Sequence, residues 1–196
     1  MADPAPHDVD ARKSDGSWLA GGARPEVVTV GDPLLRAPVE RIDDVEAIAD
    51  RVDAMVALLR EMRGAGLAAP QVGWSAAAAV VEVRKTEAFP DRPVSPLFAL
   101  LNPEIVEAAD NDLIGDWEGC FSVPGLMGRV PRASWVTVRY TDRDGHDRIE
   151  TFEGYVARVV QHELDHLEGK IFLDRMVSMA SLSTIANWQL FGRDST

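Results

Sequence analysis

The nine residues Gln161-His162-Glu163-Leu164-Asp165-His166-Leu167-Glu168-Gly169 restrict this chain more than any other stretch. They carry H-E-x-x-H inside an amphipathic pattern, and Gly169 stands where a helix would stop. In a helix of 3.6 residues per turn, His162 and His166 lie one above the other on one face. Two imidazoles so placed can hold one metal ion, and Glu163 can reach a water bound to it. The plain alternative is a pair of surface histidines. The position of a third ligand decides between them.

The sequence after the helix does not offer one. A metzincin-type site would place a third His where Phe172 stands, and a gluzincin-type site would take a Glu from a later helix. Neither Glu nor His follows Glu168. Asp174 stands so close behind the helix that it reads as a turn residue. The third ligand is therefore expected from upstream. The histidines there are His7, near the N-terminus, and His146, beside the Asp144-Gly145 hairpin signal. Cys120, in Glu118-Gly119-Cys120-Phe121-Ser122, offers a thiolate, which suits zinc or ferrous iron. A lone Cys is most often a small buried apolar residue. Here it competes with the need for one more soft ligand, and Gly119 lets the backbone come close.

Composition excludes several classes. A net charge of −12 argues against broad electrostatic binding to nucleic acid. No apolar run is long enough to cross a bilayer, and residues 1–13 lack the apolar core of a secretory signal. With one cysteine, no intramolecular disulfide can form, which fits a reducing cytoplasm. Residues 1–25 are rich in Asp, Ala, Gly and Pro without hydrophobic period and read as a mobile tail. Residues 26–196 read as a single catalytic domain.

Val27–Val30 is a strand candidate, followed by a turn at Gly31-Asp32-Pro33. Asp43 and Glu46 suggest a capping box for a helix whose apolar stripe runs from Val45 to Met62 and ends before Gly64. Strand-like runs follow at 77–83, 97–101 and 135–140, then a hairpin into 148–152. The H-E-x-x-H helix is expected from Tyr155 to Glu168 and a last helix from Ser178 to Leu190. The fold expected is α+β: mainly antiparallel sheets packed around a central metal-binding helix, with an N-terminal and a C-terminal helix.

A third motif, Gly64-Ala65-Gly66-Leu67-Ala68-Ala69-Pro70-Gln71, has neither dinucleotide-binding nor phosphate-loop glycine spacing. Its small residues let a substrate backbone lie against it as an added strand, and Gln71 offers an uncharged donor for a developing oxyanion.

With these three motifs in this order, the chain resembles the peptide deformylases over roughly residues 26–175. The resemblance implies removal of the formyl group from N-formylmethionine at the start of newly made polypeptides. It implies Cys120, His162 and His166 as metal ligands, with a fourth position left for water, and Glu163 as general base toward that water. The Gln71 side chain and the Phe121 backbone N–H would form the oxyanion hole. Gly66 and Gly119 would lie against the substrate backbone, and Tyr155 and Val159 would line the methionine pocket. The implied cofactor is one divalent ion, with Fe2+ favoured and Zn2+, Ni2+ or Co2+ also suited to the donor set. The implied partners are N-formylmethionyl nascent peptides and, transiently, the ribosome; no direct nucleic-acid or membrane binding is expected, and the location is cytoplasmic. Two departures concern how substrate is gripped: Ala65 replaces a bulky aliphatic residue, and Met127 stands where many bacterial members have Arg, with Arg129 two residues on. Glu118 with Arg132 reads as a structural ion pair and Asp165 as an orienting residue. The rival readings are a zinc metallopeptidase of the H-E-x-x-H type and a deformylase-like protein without activity.

Overall fold

A computed structural model describes residues 26–87 and 89–192. The expected tail, 1–25, lies outside the described residues.

The first described segment corrects the strand expected at Val27–Val30. No ladder forms there, because its N–H groups serve two different segments: Val28 donates to the Gln71 carbonyl at 2.8 Å and Val30 to that of Ser122 at 2.7 Å. The segment thus ties together two stretches that the sequence placed at the site.

Helix α1 (Ala49–Glu61) follows a 3-10 turn at Glu46–Ile48. The expected Asp43/Glu46 box is replaced by Asp44, whose carboxylate accepts from the Ala47 N–H at 3.0 Å. Strands β1 (Gly66–Ala68), β2 (Ala78–Val81) and β3 (Phe98–Ala108) come next, then β4 (Leu113–Cys120) and β5 (Val123–Ala133). Strands β6 (Trp135–Thr141) and β7 (Asp147–Glu153) follow, joined by the expected hairpin, with Gly145 at φ +82°. One antiparallel sheet has the order β1-β2-β3-β6-β7. A second pairs β4 with β5 and β5 with β8 (Ser183–Thr184), also antiparallel.

Alternation along β2 and β3 shows what each face of the larger sheet covers. Ala78, Val80, Ala99 and Leu101 pack with Val52, Met55, Val56 and Leu59 of α1. Val81 and Leu100 pack with Ala157, Val159, Val160 and Leu164 of α2 (Gly154–Leu167). The sheet is therefore sandwiched between the two helices, and β2 is buried on both faces. Burying an apolar side chain of this size contributes about 1.5–3 kcal/mol, so these two layers supply much of the driving force.

The end of α2 follows the sequence. Gly169 adopts φ +70°, its N–H donates to the His166 carbonyl, and Lys170 N–H reaches back to that of Asp165 at 2.8 Å. Beyond it, α3 (Phe172–Arg175) begins where Asp174 accepts from the Ile171 N–H at 2.8 Å, the turn role expected of that residue.

The single helix expected at Ser178–Leu190 does not form. A 3-10 turn at Met179–Ser181, strand β8, one turn α4 (Ile185–Asn187) and a π turn at Trp188–Gly192 replace it. The cause lies in the hydroxyl residues: Ser178 accepts from Ala180 N–H and Thr184 from Asn187 N–H, each starting a new turn. Ser183 and Thr184 meanwhile pair with Met127 and Leu126 of β5. No helix among the described residues is long and apolar enough to cross a membrane.

Candidate active site

Helix α2 buries an unusual set of polar side chains: Arg158, His162, Glu163, Asp165 and His166. Burial of this kind is costly unless each group finds a partner. The β4–β5 hairpin supplies most of them. Its ladder shifts register between Gly119 and Cys120, and this irregularity re-aims the Cys120 side chain. Cys120 Sγ lies 3.3 Å from His166 Nε2. One ligand atom from each of Cys120, His162 and His166 lies within 4.8 Å of the others, and all three residues are buried.

Glu118 orients this group. Its carboxylate accepts from Arg132 Nε and Nη2, both at 2.9 Å, and from Arg158 Nη1 at 2.8 Å. Burial works against its charge, but bonding from His162 and Arg132 prevails and holds the carboxyl far below the usual carboxylate range. An ionised carboxylate only accepts, so His162 Nδ1, 2.9 Å away, donates to it. With Nδ1 so engaged, Nε2 is the ring nitrogen left to serve the cluster. Burial and the neighbouring His162 depress the His166 pKa well below the ordinary imidazole value, so that ring stays neutral, whereas for His162 burial is outweighed by Cys120 and Glu118, which raise its pKa well above that value. Two imidazoles and a thiol, with no fourth Cys, His or carboxylate in the cluster among the described residues, fit a divalent ion with an open position.

Glu163 is 4% exposed, and its Oε2 has no hydrogen-bond partner among the described residues. Burial pushes its pKa up to about 7, with the attraction of His162 acting in the opposite direction. A carboxyl so poised can take and return a proton near neutrality. Gln71 is 1% exposed, and its orientation is fixed: its carbonyl accepts from Ala68 N–H at 2.8 Å. Its Nε2 therefore points to Cys120 Sγ at 3.4 Å and Ser122 Oγ at 3.3 Å.

These groups open onto one cavity of about 650 Å³, bounded by Gly66, Gln71, Gly119, Cys120, His162 and Glu163. Phe121, Tyr155 and Val159 are on its wall, so every residue singled out for substrate contact borders it. Met127 borders it too, while Arg129 does not; Arg129 Nη2 instead donates to the Gly115 carbonyl at 3.3 Å. Glu118 and Arg132 form the expected ion pair, and Asp165 is held by Arg132 and Arg175, each at 2.5 Å. His146, exposed on the β6–β7 hairpin, does not belong to the cluster, and His7 lies outside the described residues.

Sequence reasoning missed Arg158, although it stands four residues before His162 on the same helix face and that spacing alone could have flagged it. It also missed Arg92, Trp117 and Trp188 on the cavity wall. No periodic signal links these three, because they come from a loop, an interrupted strand and a terminal turn.

Comparison with known proteins gives a consistent picture. The family model described as polypeptide deformylase matches residues 25–181. Peptide deformylase 2 of Nostoc sp. is 38% identical over 166 residues, covering 83% of this chain and 92% of the relative. Peptide deformylase 1 of Bordetella pertussis is 42% identical over 155 residues, covering 76% and 86%. Among solved structures, the Met-Ala-Ser-bound class I type b peptide deformylase from Acinetobacter baumannii superposes with a TM-score of 0.74 at 35% identity, covering 80% of this chain and 99% of that one. The actinonin complex of the Synechococcus elongatus peptide deformylase gives 0.71 at 31%, covering 85% and 86%.

Proposed function

This chain belongs to the peptide deformylase family, a hydrolase of protein biosynthesis that removes the formyl group from formylated nascent peptides, and on that premise we propose how its own residues do so. Cys120, His162 and His166 hold the divalent ion that the family implies, with Fe2+ as the resident metal and Zn2+, Ni2+ or Co2+ able to occupy the same donors. When bound, the ion supplies Lewis acidity toward the formyl oxygen and lowers the pKa of water.

The remaining work falls to side chains around it. Glu163 takes the proton from the attacking water and returns it to the departing amine. The Gln71 amide and the Phe121 backbone N–H stabilise the oxygen as it gains charge. Edge strand β1, with Gly66, receives the substrate backbone as an added strand, and Gly119 leaves room opposite. Tyr155 and Val159 border the methionine side chain. The Met-Ala-Ser peptide in the Acinetobacter baumannii relative is consistent with a substrate that begins with methionine. Around the site, residues 26–196 act as one catalytic domain whose central metal-binding helix is α2. The enzyme works in the cytoplasm, in transient contact with the ribosome and without direct contact to nucleic acid.

The observation that carries this reading is the convergence of the thiol and two imidazoles beside Glu163, whose Oε2 has no hydrogen-bond partner among the described residues. The test is formate release from an N-formyl-Met peptide by the metal-loaded protein, run beside an unformylated protein substrate. Formate release without internal cleavage is expected. Internal cleavage would indicate a metallopeptidase, and neither activity would indicate an inactive relative.

A further inference from the structure

The arginines around the cavity are not alike. Arg132 and Arg158 are spent on Glu118, Asp165 and main-chain carbonyls. Arg92 borders the same cavity, yet no carboxylate among the described residues lies within 4.0 Å of it. Instead its guanidinium carbon sits 3.7 Å from the centroid of the Phe89 ring and 5.2 Å from that of Tyr155. Burial lowers its pKa and only Tyr155 acts against that, but a guanidinium remains charged. Ring faces stabilise a guanidinium without using the five N–H donors at its edge. A half-buried cation against two rings, with no carboxylate within 4.0 Å among the described residues, is poised for a bidentate bond to an incoming anion.

Its distance along the cavity defines what that anion is. Tyr155 precedes His162 by seven residues, so at 1.5 Å rise the two are about 10 Å apart along α2. Extended peptide covers about 3.3–3.6 Å per residue, so the same span corresponds to two or three residues. Four carboxyls share the cavity wall: Glu118 and Glu163, both buried, and two exposed ones, Asp91 and Asp116, the latter accepting through Oδ1 from Trp117 N–H at 2.7 Å. The exposed two are solvated and therefore screened, and Glu118 is fully occupied.

We propose that Arg92 is a specificity-determining residue that binds a carboxylate of the peptide at the second or third residue after the formyl group, favouring acidic substrates. This rests on the deformylase reading above. The carboxylate can belong to an acidic side chain or to the C-terminus of a short peptide. Four substrates separate these sources: formyl-Met-Ala-Asp amide against formyl-Met-Ala-Asn amide, and formyl-Met-Ala-Ala with a free against an amidated C-terminus. Each pair is measured in the wild type, in Arg92→Met, which keeps an apolar stem against Phe89, and in Arg92→Lys. The readout is the acid-to-neutral ratio of kcat/KM within each protein, so any general loss of activity cancels.

We expect a wild-type preference of about fivefold to tenfold for at least one pair, carried by KM and fading as salt rises. Arg92→Met should bring the ratio to about one, and Arg92→Lys should retain part of it. A wild-type ratio near one for both pairs, or an equal preference in Arg92→Met, overturns the proposal and leaves the deformylase reading intact. Absence of turnover on all four peptides by the metal-loaded wild type overturns both.

Discussion

Gly66 and Glu163 fit together so closely that a Cβ added to Gly66 would come within 2.3 Å of Glu163 Oε1. The glycine is there because the carboxylate fills the space that a side chain would need. Gly66→Ala should therefore push Glu163 aside without touching Cys120, His162 or His166. A displacement on the order of 1 Å at a reacting group costs about 10²-fold. We expect kcat to fall by that order while bound metal, measured by elemental analysis, stays at one equivalent. Unchanged turnover would mean that the Glu163 position is not critical.

Replacing the base and replacing a ligand should separate cleanly. Glu163→Gln keeps shape and removes proton transfer, so formate release should drop by about 10²–10⁴ with metal retained. Cys120→Ala should lose metal, because two imidazoles alone hold a divalent ion poorly. Elemental analysis alongside the activity assay checks both, and a Cys120→Ala protein that keeps its ion tightly would exclude the thiol as a ligand.

The carbonyl of Gln71 is tied to Ala68 N–H, which leaves Nε2 as a fixed donor at the cavity. Losing one oxyanion donor costs about 10²–10³ in turnover. Gln71→Ala should show that loss in kcat, with KM for the formylated peptide changed far less. A loss confined to KM would instead assign the amide to ground-state binding.

How much of this was legible in the sequence depended on whether a signal was local. His162, Glu163, His166 and Gly169 follow from helical spacing and a helix stop, and α1 follows from its apolar stripe. The β4–β5 hairpin was obscured because Gly115, Gly119, Gly125, Gly128, Pro124 and Pro131 interrupt its alternation. The last helix was over-read because Ser178 and Thr184 turn their hydroxyls on the backbone. Arg92 meets Tyr155 only through tertiary contact, and no spacing rule reaches it.

Glu118 joins three side chains, Arg132, Arg158 and His162, so its removal should be felt in stability as well as catalysis. Glu118→Ala would leave Arg158 buried without its counter-ion and Arg132 with Asp165 alone, a change that typically costs about 3–5 kcal/mol. It would also release His162 Nδ1 and weaken metal binding by about 10–100-fold. Denaturant midpoints on metal-free protein isolate the first effect, and metal titration reads the second. A midpoint within experimental error of the wild type would show that the network contributes little net stability.

Asp174, outside the Cys120–His162–His166 cluster, gives a pH signature of its own. Burial acts to raise its pKa, but hydrogen bonds from Arg36 and from Ile171 N–H prevail and hold it below the ordinary value of 3.8. A carboxyl depressed in the folded state adds stability above its unfolded pKa and loses it as pH falls through the folded value. With side chains 47% and 37% exposed, the Arg36–Asp174 pair is screened by water and should contribute at most about 1 kcal/mol. Asp174→Asn should therefore lower the urea midpoint of metal-free protein near neutral pH. That difference should shrink as the solution is acidified below 3.8, because the wild-type carboxylate is then being neutralised as well. A gap that stays constant into the acid range would assign the effect of the substitution to the cap at Ile171 rather than to the charge.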